Sequence, residues 1–260
     1  MRVLLLFMTC GIHALGMSQY AIEHHSFKVN NLGQILTLSD EGLDLYSPEG
    51  RLMKHFSEDL LGEMSTIDRS SSLESLIFYK DIPGFQLVDN TLSPHAPLYD
   101  LNQAGYPNVT AVCISNDNSF WAYDAVQFEV FRFDENFEIL ERSGNLAVIL
   151  GNDLQPISMS ISGNKLYIAD PQLGVVVFDY FANHLLTLPF DGKLSDMDVT
   201  DDAVYVSTHK SIIRSDKKGL LPLREADLPS EVQAFDVEKG KVYWGDGNII
   251  HSVDLNSLFD

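Results

Sequence analysis

Trp121-Ala122-Tyr123-Asp124 and, after six intervening residues, Phe131-Arg132-Phe133-Asp134 form the stretch whose reading decides the fold. Each half is an aromatic-rich run suited to a strand and ends in aspartate, a residue that favours turns. The same two-part unit recurs along the chain. Thr37-Leu38-Ser39-Asp40 precedes Gly42 to Ser47, and Phe78-Tyr79-Lys80-Asp81 precedes Phe85 to Asp89. Tyr167-Ile168-Ala169-Asp170 precedes Val176 to Asp179, Tyr205-Val206-Ser207-Thr208 precedes Ile212 to Asp216, and Tyr243-Trp244-Gly245-Asp246 precedes Ile250 to Asp254. The residues closing the first half lie at 40, 81, 124, 170, 208 and 246, so the steps are 41, 43, 46, 38 and 38. That spacing is the period of a four-stranded propeller blade rather than of a helical or leucine-rich repeat. The predicted fold is all-β: a six-bladed β-propeller of four-stranded antiparallel blades.

A chain of 260 residues leaves about 40 per blade once a leader is set aside, so a single domain over residues 20–260 needs no linker. The fourth copy predicts strands at Ile157 to Ser162, Lys165 to Ala169, Gly174 to Asp179 and Leu185 to Pro189, joined by turns at Ser162 to Asn164 and Tyr180 to Asn183. The sixth copy supplies only Glu231 to Val237, Lys241 to Gly245 and Asn248 to Asp254. The extended segment Tyr20 to Ser26 is therefore expected to add the missing outer strand and close the ring, removing an exposed edge.

Residues 1–19 read as a secretory leader. Arg2 precedes the apolar run Val3 to Ile12, too short to span a membrane, and Ala14, Gly16 and Ser18 offer a cleavage region. Export to the periplasm or the extracellular space is the expectation. Without the leader, which contains Cys10, Cys113 is the one cysteine left; no intrachain disulfide can form, and its strand setting marks it as a small buried hydrophobe.

With 17 basic and 37 acidic residues the net charge is −20, which repels a phosphate backbone and argues against nucleic acid as partner. An anionic membrane surface is equally unsuited, whereas cations, basic proteins and neutral polymers fit. Asp40, Asp81, Asp124, Asp170 and Asp246 end the second strand of five blades and fall on the face that also carries the blade-to-blade connections. Thr208 takes that place in the fifth. Such aspartates either cap their turns by accepting backbone N–H groups, or converge into a negative rim that attracts a basic partner or an ion such as calcium. A second set, Asp89, Asp134, Asp179, Asp216 and Asp254, belongs to the opposite face, where capping is the expected role.

Local motifs for catalysis, phosphate binding or dinucleotide binding are absent, and no catalytic residue is assigned. His24 and His25 are adjacent, so on a strand they face opposite ways and do not share a metal. Asn116 to Ser119 reads as a turn, and Trp121 as a packing residue.

Leu61 to Asp68, Phe78 to Asp81 and Val88 to Ser93, with Cys113 to Asp124, Leu166 to Asp170 and Gly174 to Asp179, resemble a group of exported six-bladed propeller proteins of Bacteroidetes-type bacteria. The resemblance covers residues 60–180 best. It implies the fold and export, and no activity. More distantly the chain is similar to NHL-type propellers and to calcium-dependent sugar lactonases. In the latter a glutamate, asparagines and an aspartate of different blades hold a central divalent ion. Carried over, that pattern falls on Glu63 and Asp196, with Asn108 or Asn152 beside them.

Two functions of different class follow. The leading one is an exported, non-enzymatic propeller that presents an acidic face to a protein or surface polymer of the cell envelope. The alternative is a metal-assisted hydrolase of lactonase or esterase type with a calcium-like ion in the central channel. A deep pocket lined by Glu63, Asp196 and asparagines favours the hydrolase; a channel plugged by apolar side chains favours binding. An assembly role would use a blade edge or the excursion Leu92 to Asn108.

Overall fold

The computed structural model describes residues 17–58, 61–69 and 73–259. Most of the expected leader, including Cys10, lies outside the described residues. Six antiparallel sheets of four strands surround a central axis. The first strand, β1 (Ser18–Ala21), belongs to the last blade. Blade one holds β2 (Ser26–Val29), β3 (Ile35–Ser39), β4 (Gly42–Tyr46) and β5 (Leu52–Phe56), and blade two holds β6 (Met64–Asp68), β7 (Glu74–Tyr79), β8 (Gly84–Asp89) and β9 (Tyr99–Asp100). Blade three consists of β10 (Val109–Ile114), β11 (Phe120–Asp124), β12 (Glu129–Phe133) and β13 (Ile139–Arg142), followed by the short helix α1 (Leu146–Leu150). Blade four consists of β14 (Ser158–Ser162), β15 (Lys165–Asp170), β16 (Gly174–Asp179) and β17 (His184–Leu188); blade five of β18 (Asp196–Val199), β19 (Ala203–Ser207), β20 (Ser211–Asp216) and β21 (Arg224–Asp227). Blade six takes β22 (Ala234–Glu238), β23 (Lys241–Gly245) and β24 (Ile249–Asp254), and α2 (Leu255–Phe259) follows it.

The ring closes as the three-strand sixth copy requires, with β1 antiparallel to β24 from Ser18↔Ser252 to Ala21↔Ile249. The boundary differs from the expectation. The closing strand starts at Ser18, inside the segment read as leader, and Ser26 already belongs to β2. Between them Ile22 and His24 donate their N–H groups to Asn248 and Gly247, pinning the crossing from blade six to blade one. The second copy, irregular in sequence, makes a four-stranded blade whose outer strand has two residues. The excursion Leu92 to Asn108 supplies that strand and buries Leu92 and Leu101, so it packs rather than projects.

The core is divided by seams. Because side chains alternate sides along a strand, each blade sends one set toward the preceding blade and the other toward the next. In β11, Phe120 and Ala122 join Phe78, Phe85 and Leu87 of blade two, while Trp121 and Tyr123 join Leu166, Ile168 and Phe178 of blade four. Corresponding clusters fill the remaining four seams. Each fully buried leucine or phenylalanine contributes roughly 1.5–3 kcal/mol, so every interblade layer is a sizeable share of the fold. Cys113 is fully buried in the layer between blades three and four, and burial raises its pKa, in keeping with a packing role.

Candidate functional site

Strand order fixes two faces. The top face carries the turns from second to third strands and the connections between blades; the bottom face carries the other turns. On the top face the repeated aspartates divide by burial. Asp170, 2% exposed, accepts N–H groups from Gln172 (2.7 Å), Leu173 (2.8 Å) and Gln155 (2.7 Å). Asp124, 6% exposed, accepts those of Val126 and Gln127, and Asp246 those of Asn248 and Ile249. Thr208 fills the same place in blade five, its hydroxyl accepting from Ser211 at 3.1 Å. These groups are caps. Asp40 and Asp81 are different: both are exposed, Asp40 meets the His25 ring at 2.8 Å, and Asp81 accepts the Glu63 N–H at 3.2 Å. On the bottom face Asp89, Asp134, Asp179 and Asp216 cap their turns as the sequence leads one to expect.

Asp40 lines a cavity of about 300 Å³ between blades one and two, with Glu41, Glu58, Glu63, Met64 and His25 among its other walls. Four carboxylates thus surround one opening, and Glu63 also bonds Lys80 Nζ at 2.8 Å across exposed surface. Elsewhere on this face Asp81, Asp153, Asp191 and Glu231 are exposed, against the exposed cations Lys80, Lys193 and Lys210.

The innermost strands line a central channel whose walls carry Lys28, Asp196, Asp198 and Asp236 beside Ile67, Met159 and Met197. It widens to about 480 Å³ on the bottom side and about 200 Å³ on the top side. Along β2, β18 and β22 apolar residues point into the seams while Lys28, Asp196, Asp198 and Asp236 take the alternate positions and line the channel. These carboxylates bridge blades. Asp236 accepts the Val29 N–H at 2.8 Å and pairs with Lys28 Nζ at 3.2 Å, joining blade six to blade one. Asp198 accepts from Val237 at 2.8 Å and Asp196 from Phe235 at 3.4 Å, joining five to six; Asp68 accepts from Ile114, joining two to three. Burial pushes the Asp236 pKa up to about 7, Lys28 only partly countering it. Burial also disfavours the Lys28 ammonium, but Asp236, Asp196 and Asp198 outweigh it and raise the Lys28 pKa.

The residues matched to a lactonase-like ion site are not brought together. Asp196 lines the channel, its pKa raised by burial, whereas Glu63 lines the cavity between blades one and two. Asn108 and Asn152 line neither, and Asn108 uses its carbonyl to accept the Ala125 N–H. Among the described residues no group of three or more His, Cys, Asp or Glu side chains is placed to hold a metal. His24 is buried against Ile22 and Gly247 while His25 is exposed on Asp40, so the two diverge. Sequence reading passed over Lys28, Asp198 and Asp236. The available signal was a charged residue alternating with apolar ones in an innermost strand, as in Phe27-Lys28-Val29 and Phe235-Asp236-Val237.

Six four-stranded blades closed by an N-terminal strand define a six-bladed β-propeller. No family model matches the chain, and no curated protein matches it by sequence. Solved structures match in fold. A streptogramin B lyase is similar at 11% identity and TM-score 0.65, over 91% of this chain and 96% of the lyase. Virginiamycin B lyase from Staphylococcus aureus gives 10% and 0.62, over 92% and 88%. PorZ of Porphyromonas gingivalis, a surface component of a type-IX secretion system, gives 12% and 0.55, with this chain spanning 38% of its length. At such identities the likeness is one of fold, and the roles of these proteins differ among themselves. Among the described residues no helix is long and apolar enough to cross a membrane.

Proposed function

We propose that this chain is an exported, non-enzymatic propeller whose top face binds a basic segment of a protein or surface polymer in the cell envelope. The observation that carries the reading is the cavity between blades one and two, walled by Asp40, Glu41, Glu58 and Glu63. Asp40, Glu41 and Glu63 are exposed, unlike the capping Asp124 and Asp170, and the contacts of Asp40 with His25 and of Glu63 with Lys80 lie on the surface, where an incoming lysine or arginine can compete for them at little cost to the fold. Asp81, beside Glu63, extends the same patch. The rigid scaffold holds them at fixed separation, so an incoming cation meets a preformed field.

The test is binding of a fluorescein-labelled oligolysine peptide at low salt. A D40N/E41Q/E63Q variant should bind about tenfold more weakly, from a loss of roughly 0.5 kcal/mol per exposed carboxylate contact. A bottom-face control, E49Q/E135Q/D201N, removes the same charge. Equal weakening by the two variants would mean that overall charge alone attracts the peptide, and the assignment to this cavity would fall.

A further inference from the structure

The turns between third and fourth strands supply a comparison within one molecule. In blades one to four, Ser47, Asp89, Asp134 and Asp179 each accept the backbone N–H groups two and four residues on. In blade five Asp216 accepts from Lys218 (3.0 Å) and from Leu221 (2.7 Å), five residues on, and residues 217–223 separate the two strands, against 47–51, 134–138 and 180–183 in blades one, three and four. The extra chain does not serve the core. Leu220, Leu221 and Leu223 are 77%, 63% and 42% exposed, and Pro222 between them is exposed too.

The loop is nevertheless held in one shape. Gly219 donates its N–H to the Asp216 carbonyl at 3.1 Å, takes a left-handed backbone with φ +65°, and lies so close to β17 that a Cβ there would sit 2.8 Å from Leu188 Cδ2. Three leucines exposed in one turn form an apolar run outside the seam clusters, the kind of feature that marks a contact surface. Lys218 and Arg224 flank it, both exposed and, among the described residues, in no ion pair. In a molecule of net charge −20 these two cations give the exposed apolar run a locally basic edge at each end. Of the acids beside them in sequence, Asp216 is held in its cap and Glu225 accepts the Ser211 hydroxyl at 2.6 Å.

We infer that the loop from Lys218 to Arg224 docks a short acidic segment of a protein partner that bears leucine or phenylalanine side chains. The leucines would be covered by its apolar residues, and Lys218 and Arg224 would meet its carboxylates. Charge decides among occupants. A flat anionic bilayer, or a second copy of this chain, sets an extended negative surface against the whole acidic molecule, whereas a short peptide meets only this loop within a Debye length of about 8 Å. This surface is on another face from the acidic cavity and takes the opposite charge, so either reading can fail alone.

The experiment uses the full chain and a fluorescein-labelled peptide of repeated Glu-Leu-Asp-Phe units, with the same peptide carrying lysine for each acid as control. Wild type should bind the acidic peptide in preference, and L220S/L221S should weaken binding about tenfold, the scale of a central apolar contact. K218E/R224E should weaken it and invert its salt dependence, since added salt then screens a repulsion. All four side chains are exposed, so unchanged thermal unfolding is expected and confirms that the variants fold. Binding that L220S/L221S leaves intact would overturn the inference. So would phosphatidylglycerol vesicles bound in place of the peptide, or a wild-type dimer in sedimentation that the same variant abolishes.

Discussion

Replacing Asp170 by asparagine and comparing it with Asp40→Asn separates a cap from a surface carboxylate. Asp170 receives three backbone N–H groups at 2.7–2.8 Å while almost fully buried. Asparagine keeps one oxygen, which can still accept from Gln172 and Leu173, but turns an NH2 group toward the Gln155 N–H. One bond to a charged acceptor is lost and a buried donor is left facing a donor, a cost of about 2–3 kcal/mol. Gln155 lies in the connection into blade four, so the loss also loosens the seam between blades three and four. Asp40 has an 85% exposed side chain and one bond, to the half-exposed His25, so D40N should stay within about 0.5 kcal/mol of wild type. Urea unfolding at pH 7.5 with a common m-value reads both, and oligolysine binding is measured on the same samples. D170N should be destabilised with its binding intact, and D40N the reverse. A D170N protein as stable as wild type would refute the capping account, and a D40N protein as destabilised as D170N would refute the division between the two kinds of aspartate.

Four further outcomes are expected. A chain starting at Ile22 lacks β1 and its ladder to β24, and should lose about 3 kcal/mol against one starting at Met17; equal urea midpoints would show that ring closure does not depend on this strand. Gly174→Ala places a Cβ 2.2 Å from the Leu188 carbonyl oxygen at φ +98°, and should cost more than about 3 kcal/mol, whereas Gly163→Ala, with nothing within 4 Å, should cost about 1 kcal/mol. The Asp236 pKa is raised in the folded protein to about 7 from 3.8, so the native state holds a proton that the unfolded chain releases. Stability from this group is then fullest in acid and declines as pH rises from about 4 through 7; D236N should flatten that slope in unfolding series between pH 5 and 8, and parallel slopes would contradict the assignment. Because Glu63, Asn108 and Asn152 lie apart from Asp196, calcium added after chelation should leave the melting temperature unchanged, and a saturable rise abolished by D196N would restore the ion-site alternative.

Much of the architecture was legible because the repeat couples two signals of the same origin. An apolar strand must stop at a turn, and aspartate is a residue that both stops it and caps it, so the period of Asp40, Asp81, Asp124, Asp170 and Asp246 reports blade length directly. Strand positions in the fourth copy follow within a residue or two. The site was less legible. Asp170 and Asp40 occupy equivalent places in the repeat, yet one is buried under three N–H donors and the other is open, a difference set by the neighbouring connection and not by local sequence. Lys28 and Asp236 are distant in the chain and meet only because the ring closes, so neither predicts the other. The bounds of the closing strand, Ser18–Ala21 against the expected Tyr20 to Ser26, escaped sequence reading for the same reason: they depend on the free edge of β24, at the far end of the sequence.

The acidity of the chain therefore has three physical origins that answer to different constraints. Carboxylates such as Asp124, Asp170 and Asp179 satisfy turn N–H groups, and a neutral residue there forfeits stability whatever the protein binds. Asp68, Asp198 and Asp236 reach across seams to the backbone of the next blade, and Asp236 depends on Lys28 being charged. Carboxylates of the third kind, Asp40, Glu41 and Glu63 among them, face solvent in a shared cavity and can be changed with little effect on folding. Net charge alone cannot distinguish these, since all contribute equally to −20. A partner senses mainly the third, because buried groups present little of their charge to an incoming cation. The relevant electrostatic quantity is thus the exposed carboxylate, of which Asp40, Glu41 and Glu63 share one cavity between blades one and two, while the exposed cations Lys218 and Arg224 stand at blade five.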